Sequence, residues 1–311
     1  MSYEELLTRE ALADERFVVM TAENRALVRN IHAHLGNRFI DTGITEQTMI
    51  GAAAGLALRG RIPVVHALAS FLSMRAFEFV RTDAGIPNLP LKLSSFIPGF
   101  LSDGNGPTHQ AIEDISLMRG IPNMTVFAPA DEDDLLKMLP QIWNYLSPSY
   151  VRINTRKTDY VHAPFEWGKA EVISEGTDVT ILTYGLLFEQ TLEAVNILKE
   201  EGLSVGLVNM RSLKPVDEQA ILNAAKSNLV VTVEDHFLTG GLYSVVAEVL
   251  LRHQTTARVL PFALNEKWFK PSLLPNVLQN EGFTGKQIAE KILGYDTQAI
   301  QTKIAAQEFS E

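Results

Sequence analysis

The chain of 311 residues contains no cysteine. Disulfides, thiolate nucleophiles, zinc–thiolate sites and iron–sulfur clusters are therefore excluded. Long apolar runs are also missing: the most membrane-like stretch, Gly51 to Leu58, has eight residues, against the ~20 that span a bilayer. The opening MSYEELLTREALADER is mixed in charge and is no secretion signal. Basic side chains are in deficit, 27 against 37 acidic, for a net charge of −10. A field of that sign repels phosphate backbones and anionic lipid, so neither nucleic acid nor a membrane is the expected partner. Also absent are G-x-G-x-x-G after a strand, G-x-x-x-x-G-K-[ST], H-E-x-x-H and G-x-S-x-G, which leaves hydride transfer, kinase and serine-hydrolase chemistry without support. These absences together fit a cytoplasmic protein.

What is present is apolar material, 46% of residues, enough for two domains of roughly 150 residues each. Runs at 17–22, 38–43, 62–68, 89–96, 124–130 and 149–154 are short, rich in Val, Ile and Phe, and apolar on both faces where strongest. Such runs read as strands of a parallel sheet covered on both sides. Leu135, Met138, Leu139, Ile142 and Leu146 share one helical face behind the acidic start Asp131–Asp134, and Pro140 predicts a kink or an early end. The rhythm resumes at 179–185, 204–210, 229–236 and 257–264. The alternation predicts two consecutive α/β domains. Asn154 to Lys169 has no apolar period and reads as the linker, which divides the chain into 1–165 and 166–311. The tail TQAIQTKIAAQEFSE reads as a weak, fraying helix.

Ligands of α/β sheets sit at the carboxyl ends of the strands, and three such places carry chemistry-bearing residues. They are DTGITEQ (41–47), HALASF (66–71) and the glycine-rich loop PGFLSDGNGPTHQ (98–110). Each has a plainer reading as well. Glu46 complements a helix dipole, Phe71 fills a core, and His109 is a solvated loop histidine. Gly51, Ala52, Ala53, Ala54 and Gly55 make a small-residue helix face suited to close packing, within one chain or across a subunit interface. Glu234, Asp235 and His236 lack further ligands at metal spacing and read as a structural cluster at a strand end. Taken singly, none of these decides a function.

Taken in order, G-I-T-E-Q, a strand leading into a Phe-headed helix, and a glycine loop closing in G-P-T-H-Q resemble transketolase. The resemblance is to its C-terminal half, a thiamine-type pyrimidine-binding domain followed by a transketolase C-terminal domain. PNMTVFAPAD (122–131) and VTVEDHFLTGGL (231–242) extend it from about residue 3 to 294. It implies a thiamine diphosphate cofactor lying between two polypeptides. Glu46 matches the glutamate that hydrogen-bonds the aminopyrimidine ring. A carboxylic acid there stabilises the imino tautomer, which strips the thiazolium proton so that the cofactor can act as an electron sink. Phe71 matches the aromatic stacked on that ring, and Leu68 and Met74 stand where two further aromatics of the wall are found. His109 matches the histidine near the substrate oxygens, an acid/base or hydrogen-bonding role. Arg156 falls where family members bind the sugar phosphate, with a plain surface arginine as the alternative.

Two departures bear on the substrate. Ile97 replaces a second catalytic histidine, and Asn105 replaces the aspartate that reads the donor hydroxyl. Cofactor activation is left intact, and the identity of the sugar is left open. The G-D-G motif and downstream asparagine that hold the diphosphate through Mg²⁺ are absent. The resemblance therefore implies an N-terminal partner subunit carrying that site, most simply in an α₂β₂ assembly in which this chain also pairs with its own copy. The implied activity is transfer of a two-carbon ketol unit between sugars or sugar phosphates. Two alternatives remain: the β-type subunit of a 2-oxo acid dehydrogenase or decarboxylase, and a non-catalytic interaction subunit that kept the fold.

Overall fold

The structure, a computed structural model, describes residues 1–295; the helix expected over 297–311 lies outside the described residues. Its first six strands are β1 (Phe17–Thr21), β2 (Phe39–Asp41), β3 (Ile62–Leu68), β4 (Lys92–Phe96), β5 (Thr125–Phe127) and β6 (Ser149–Arg152). They form a parallel sheet in the order β5-β6-β4-β3-β1-β2. Every residue of β1, β4, β5 and β6 is buried, as expected where helices cover both faces. The chain continues through β7 (Glu171–Ser174), β8 (Val179–Thr183), β9 (Val205–Asn209), β10 (Ser212–Lys214), β11 (Leu229–Phe237) and β12 (Val259–Leu264). The second sheet runs β12-β11-β8-β9-β7, parallel except for β7.

The two α/β domains with mainly parallel sheets are those expected, with an amendment to their being strictly consecutive. β10 does not join its own domain's sheet; it pairs antiparallel with β5 as the seventh strand of the first. Lys214 fixes the crossing, its Nζ donating to the Arg119 carbonyl at 2.9 Å and the Ile121 carbonyl at 2.5 Å. Three residues carry too little periodicity to announce a strand. β7, buried only at Glu171 and half or fully exposed beyond it, likewise gives no clear alternation.

Helix Glu132–Asn144 runs through Pro140 and ends short of Leu146, which is exposed. A helix-interior proline costs about 3 kcal/mol. Burying Leu135, Met138, Leu139, Ile142 and Trp143 beneath the sheet contributes about 1.5–3 kcal/mol per aliphatic side chain, so packing overrides the local penalty. Asp131 caps the start, accepting from the Asp134 N–H at 2.9 Å.

Because β1–β4 and β6 are parallel, their carboxyl ends share one edge. The segments leaving β2, β3, β4 and β6 carry Glu46, Phe71, the 98–110 loop and Arg156 respectively.

Candidate functional site

Asp41 shapes the turn after β2. Its Oδ1 accepts from the N–H groups of Gly43 (2.9 Å) and Glu23 (3.0 Å), and Arg25 clamps its other oxygen. Glu46 then opens helix Glu46–Leu58 and is 1% exposed. A carboxylate so placed needs a partner, and the partner is Arg75, whose Nη1 donates to Oε2 at 2.9 Å. Phe71 heads a widened turn after β3, in which the Ala76 N–H reaches back five residues to the Phe71 carbonyl at 2.9 Å. Wide turns of this kind gather at functional sites. The Phe71 ring is half-buried, with the Arg75 Cζ 3.7 Å from its centroid and the His109 ring at 5.2 Å, inclined by 59°. Met74 is half-buried on the same turn.

The loop after β4 begins with Ile97 at φ +44°, a left-handed conformation that is unusual for a β-branched residue. Such outliers persist where surrounding structure imposes them. Beyond it, Gly99 (φ +55°) approaches the second domain so closely that only a glycine fits. The Phe100 N–H donates to Asp235 Oδ2 (3.2 Å), Asp103 accepts from the Leu274 N–H (3.0 Å), and Gln110 donates to the Phe269 carbonyl (2.8 Å). The loop is thus pinned to the second domain along its length. Between those pins, Asn105 and His109 face a cavity of about 520 Å³ together with Leu68, Ile97 and Arg156. Leu27, Phe96, Leu101 and Ile153 give it an apolar wall, and Asn24 and Asn154 add polar groups. A cavity of about 600 Å³ near Thr177, Ser204 and Lys226 opens instead at the amino ends of β8 and β9, the end such sheets do not use for ligands.

Of the residues singled out in the sequence, Leu68, Ile97, Asn105, His109 and Arg156 meet around one cavity. Phe71 joins them through His109, and Glu46 through Arg75. Arg156 is about half exposed, 3.9 Å from Glu189.

Glu234, Asp235 and His236 are structural, as read. Glu234 accepts from the Leu242 and Tyr243 N–H groups at 2.6 and 2.9 Å, capping a helix. Asp235 pairs with Arg152 at 2.5 Å, and Arg152 also bonds Asp114 at 3.0 Å. Burial pushes His236 down to about 4, and its Nε2 accepts from the Ser116 N–H at 3.3 Å.

A second buried cluster has no forerunner in the sequence reading. Asp134, His162 and Glu171 bring ligand atoms within 4.8 Å of one another, a spacing that would suit a metal. Arg211 fills the place of the cation, 2.5 Å from Glu171 and 3.3 Å from Asp134. Burial pulls the His162 imidazole down, but its hydrogen bonds to Asp131 and Glu171 outweigh that and hold it at about 9. The cluster ties the linker to both domains.

Sequence reasoning missed Arg75, Arg152 and Arg211. For Arg75 a signal existed: it lies four residues after Phe71, the spacing that brings side chains together on a helix.

Residues 1–159 match the family described as transketolase, pyrimidine binding domain. The chain belongs to the transketolase family. Residues 168–288 of this transketolase-family chain match the transketolase C-terminal domain. It is 38% identical over 255 residues to the 6-deoxy-6-sulfo-D-fructose transketolase subunit of a Clostridium species, across 80% of this chain and 79% of that one. It is 37% identical over 263 residues to 1-deoxy-D-xylulose-5-phosphate synthase of Dictyoglomus thermophilum, across 82% of this chain and 42% of that protein. Among solved structures, a split gene transketolase, an inactive beta4 tetramer, superposes with a TM-score of 0.85 at 33% identity, covering 94% of this chain and 96% of that one. Transketolase from Leishmania mexicana, at 17% identity, shares the fold with a TM-score of 0.74 over 93% of this chain and 44% of its own.

Proposed function

We propose that this chain is the C-terminal subunit of a split, thiamine diphosphate-dependent transketolase that moves a two-carbon ketol unit between sugars or sugar phosphates. The observation that carries the reading is Glu46: a buried carboxylate at a strand's carboxyl end, touched by a planar group that also lies on the Phe71 ring. That same observation is the test of fit, since a flat, N–H-bearing group already satisfies both residues. Bound there, the cofactor would supply an electron sink for breaking and making a carbon–carbon bond beside a carbonyl.

The chain's own residues hold and orient. Glu46 offers a carboxyl oxygen to the aminopyrimidine edge. Phe71 fixes the ring plane, where a misplacement of about 1 Å would cost ~100-fold in rate, and Leu68 and Met74 complete the wall. His109, on the cavity and against Phe71, exchanges a proton or hydrogen bond with a substrate oxygen. Asn105 hydrogen-bonds a hydroxyl but takes no proton. Arg156 offers a charge-assisted clamp to a phosphate or a similar anion.

Mg²⁺ and the diphosphate fall to an N-terminal partner subunit in an α₂β₂ assembly, with this chain also paired with its own copy and the domains dividing near residue 165. The likeness to a split gene transketolase described as an inactive beta4 tetramer supports partner dependence. Among the described residues no helix is long and apolar enough to cross a membrane, which accords with a cytoplasmic setting.

The test is reconstitution with the N-terminal subunit, thiamine diphosphate and Mg²⁺. Ketol transfer should appear only in the mixture, and Glu46→Ala should lower it by at least ~100-fold. Undiminished activity in Glu46→Ala overturns the reading, and release of CO₂ from a 2-oxo acid would move it to the dehydrogenase or decarboxylase class.

A further inference from the structure

Arg75 makes the contacts that a bound pyrimidine ring would need. Its Nη1 donates to the buried Glu46 Oε2 at 2.9 Å, and its Cζ lies 3.7 Å from the Phe71 centroid. A guanidinium is planar, edged with N–H groups, and stacks on aromatic faces. An aminopyrimidine shares all three properties. With the Arg75 guanidinium 3.7 Å from the centroid, that face of Phe71 is already covered at stacking distance, and a second planar group can stack there only once the first has moved. We infer that Arg75 is a built-in stand-in for the cofactor's pyrimidine ring, holding Glu46 and Phe71 in place in the cofactor-free chain and leaving when the ring enters. The inference rests on the function proposed above and adds a residue that sets how tightly the cofactor binds.

Two features make the exchange physically reasonable. Glu46 is 1% exposed, and without Arg75 its carboxylate would be left unpaired, a costly state for a buried charge. The stand-in keeps the cleft formed before the cofactor arrives. Arg75 also has a way out. Its side chain is 38% exposed, against 2% for that of Glu46, so it can swing towards water while the carboxylate stays. The widened turn contributes as well. Arg75 is the last residue of that turn, and there it lies over the Phe71 ring and within reach of Glu46 at the head of the neighbouring helix.

The test is calorimetric titration of thiamine diphosphate, with Mg²⁺, into the purified complex of this chain with its N-terminal subunit, comparing wild type, Arg75→Met and Arg75→Lys. Methionine preserves the length of the stem but neither bonds Glu46 nor stacks as a planar cation. Lysine keeps the charge and loses the plane. Arg75→Met should bind the cofactor about 10-fold tighter, because the ring no longer displaces an ion pair and a stacked cation. Arg75→Lys should fall between. The cofactor-free Arg75→Met complex should melt below wild type, and added cofactor should raise its melting temperature by more. Should the methionine variant fail to assemble, the lysine variant carries the same comparison. Equal or weaker binding by the variants overturns the stand-in role while leaving the proposed function intact. A wild-type complex that binds no thiamine diphosphate would instead remove the proposed function, and this inference with it.

Discussion

A β-carbon on Gly99 would lie 1.8 Å from Oδ2 of Asp235. The first residue belongs to the loop that carries Asn105 and His109, the second to a strand of the other domain. Asp235 is buried and held in turn by Arg152, at the carboxyl end of β6. The position of the candidate substrate loop is therefore set by the second domain, through a contact that admits no side chain.

Gly99→Ala should be severe. It adds an overlap with a fixed carboxylate to a φ of +55°, and misfits of this kind cost about 2–4 kcal/mol. The melting temperature should drop by about 5 °C or more, and ketol transfer by about 100-fold as His109 shifts. A variant with wild-type melting and activity would show that the loop is not held by this contact.

Ile97 contributes an apolar wall in a costly conformation. Asparagine visits the left-handed region readily, so Ile97→Asn should melt no lower than wild type despite the loss of a half-buried aliphatic side chain. It also puts a hydrogen-bonding amide on the cavity. The ratio of kcat/KM for glycolaldehyde over propanal should rise about 10-fold, because a hydroxyl facing a partnerless wall is penalised and one facing an amide is not. An unchanged ratio would mean that the acceptor does not contact Ile97.

The His162 cluster makes stability depend on pH. His162 titrates near 9 in the fold against 6.5 when free. Its proton is held more tightly in the folded chain, so its contribution is complete below about 6.5 and is lost as pH rises through about 9. Glu171, held down at about 2 against 4.5, contributes fully above about 4.5 and loses this as pH falls towards 2. The latch is strongest between those limits. Melting temperatures measured from pH 5 to 9.5 should decline on the alkaline side, and His162→Gln should flatten that decline. A decline of equal slope in the variant would assign it to other groups.

The fold was readable because buried parallel strands are dense apolar runs: all ten runs overlap strands, and those at 38–43 and 124–130 shrank to the three-residue β2 and β5. What escaped was short or depended on distant partners. β10 is three residues long, and Arg152, Asp114 and Asp235 meet only after the chain has folded. The residues that the structure brings together at the candidate site were legible where residue order carries meaning, as in Glu46, Phe71 and the G-P-T-H-Q loop. Arg75 offered only its four-residue spacing from Phe71, which a solvent-side arginine on a helical turn and a cleft-filling one share until the third dimension places Glu46 beside it.

β10 caps an otherwise open margin of the first sheet, along β5. Cutting the chain at the linker would strip that margin bare and leave a row of unsatisfied backbone groups ready to recruit another molecule. The amino-terminal portion is thus a poor candidate for life as a free-standing module, and shuffling these two halves between relatives would have to carry Ser212–Lys214 along with the first.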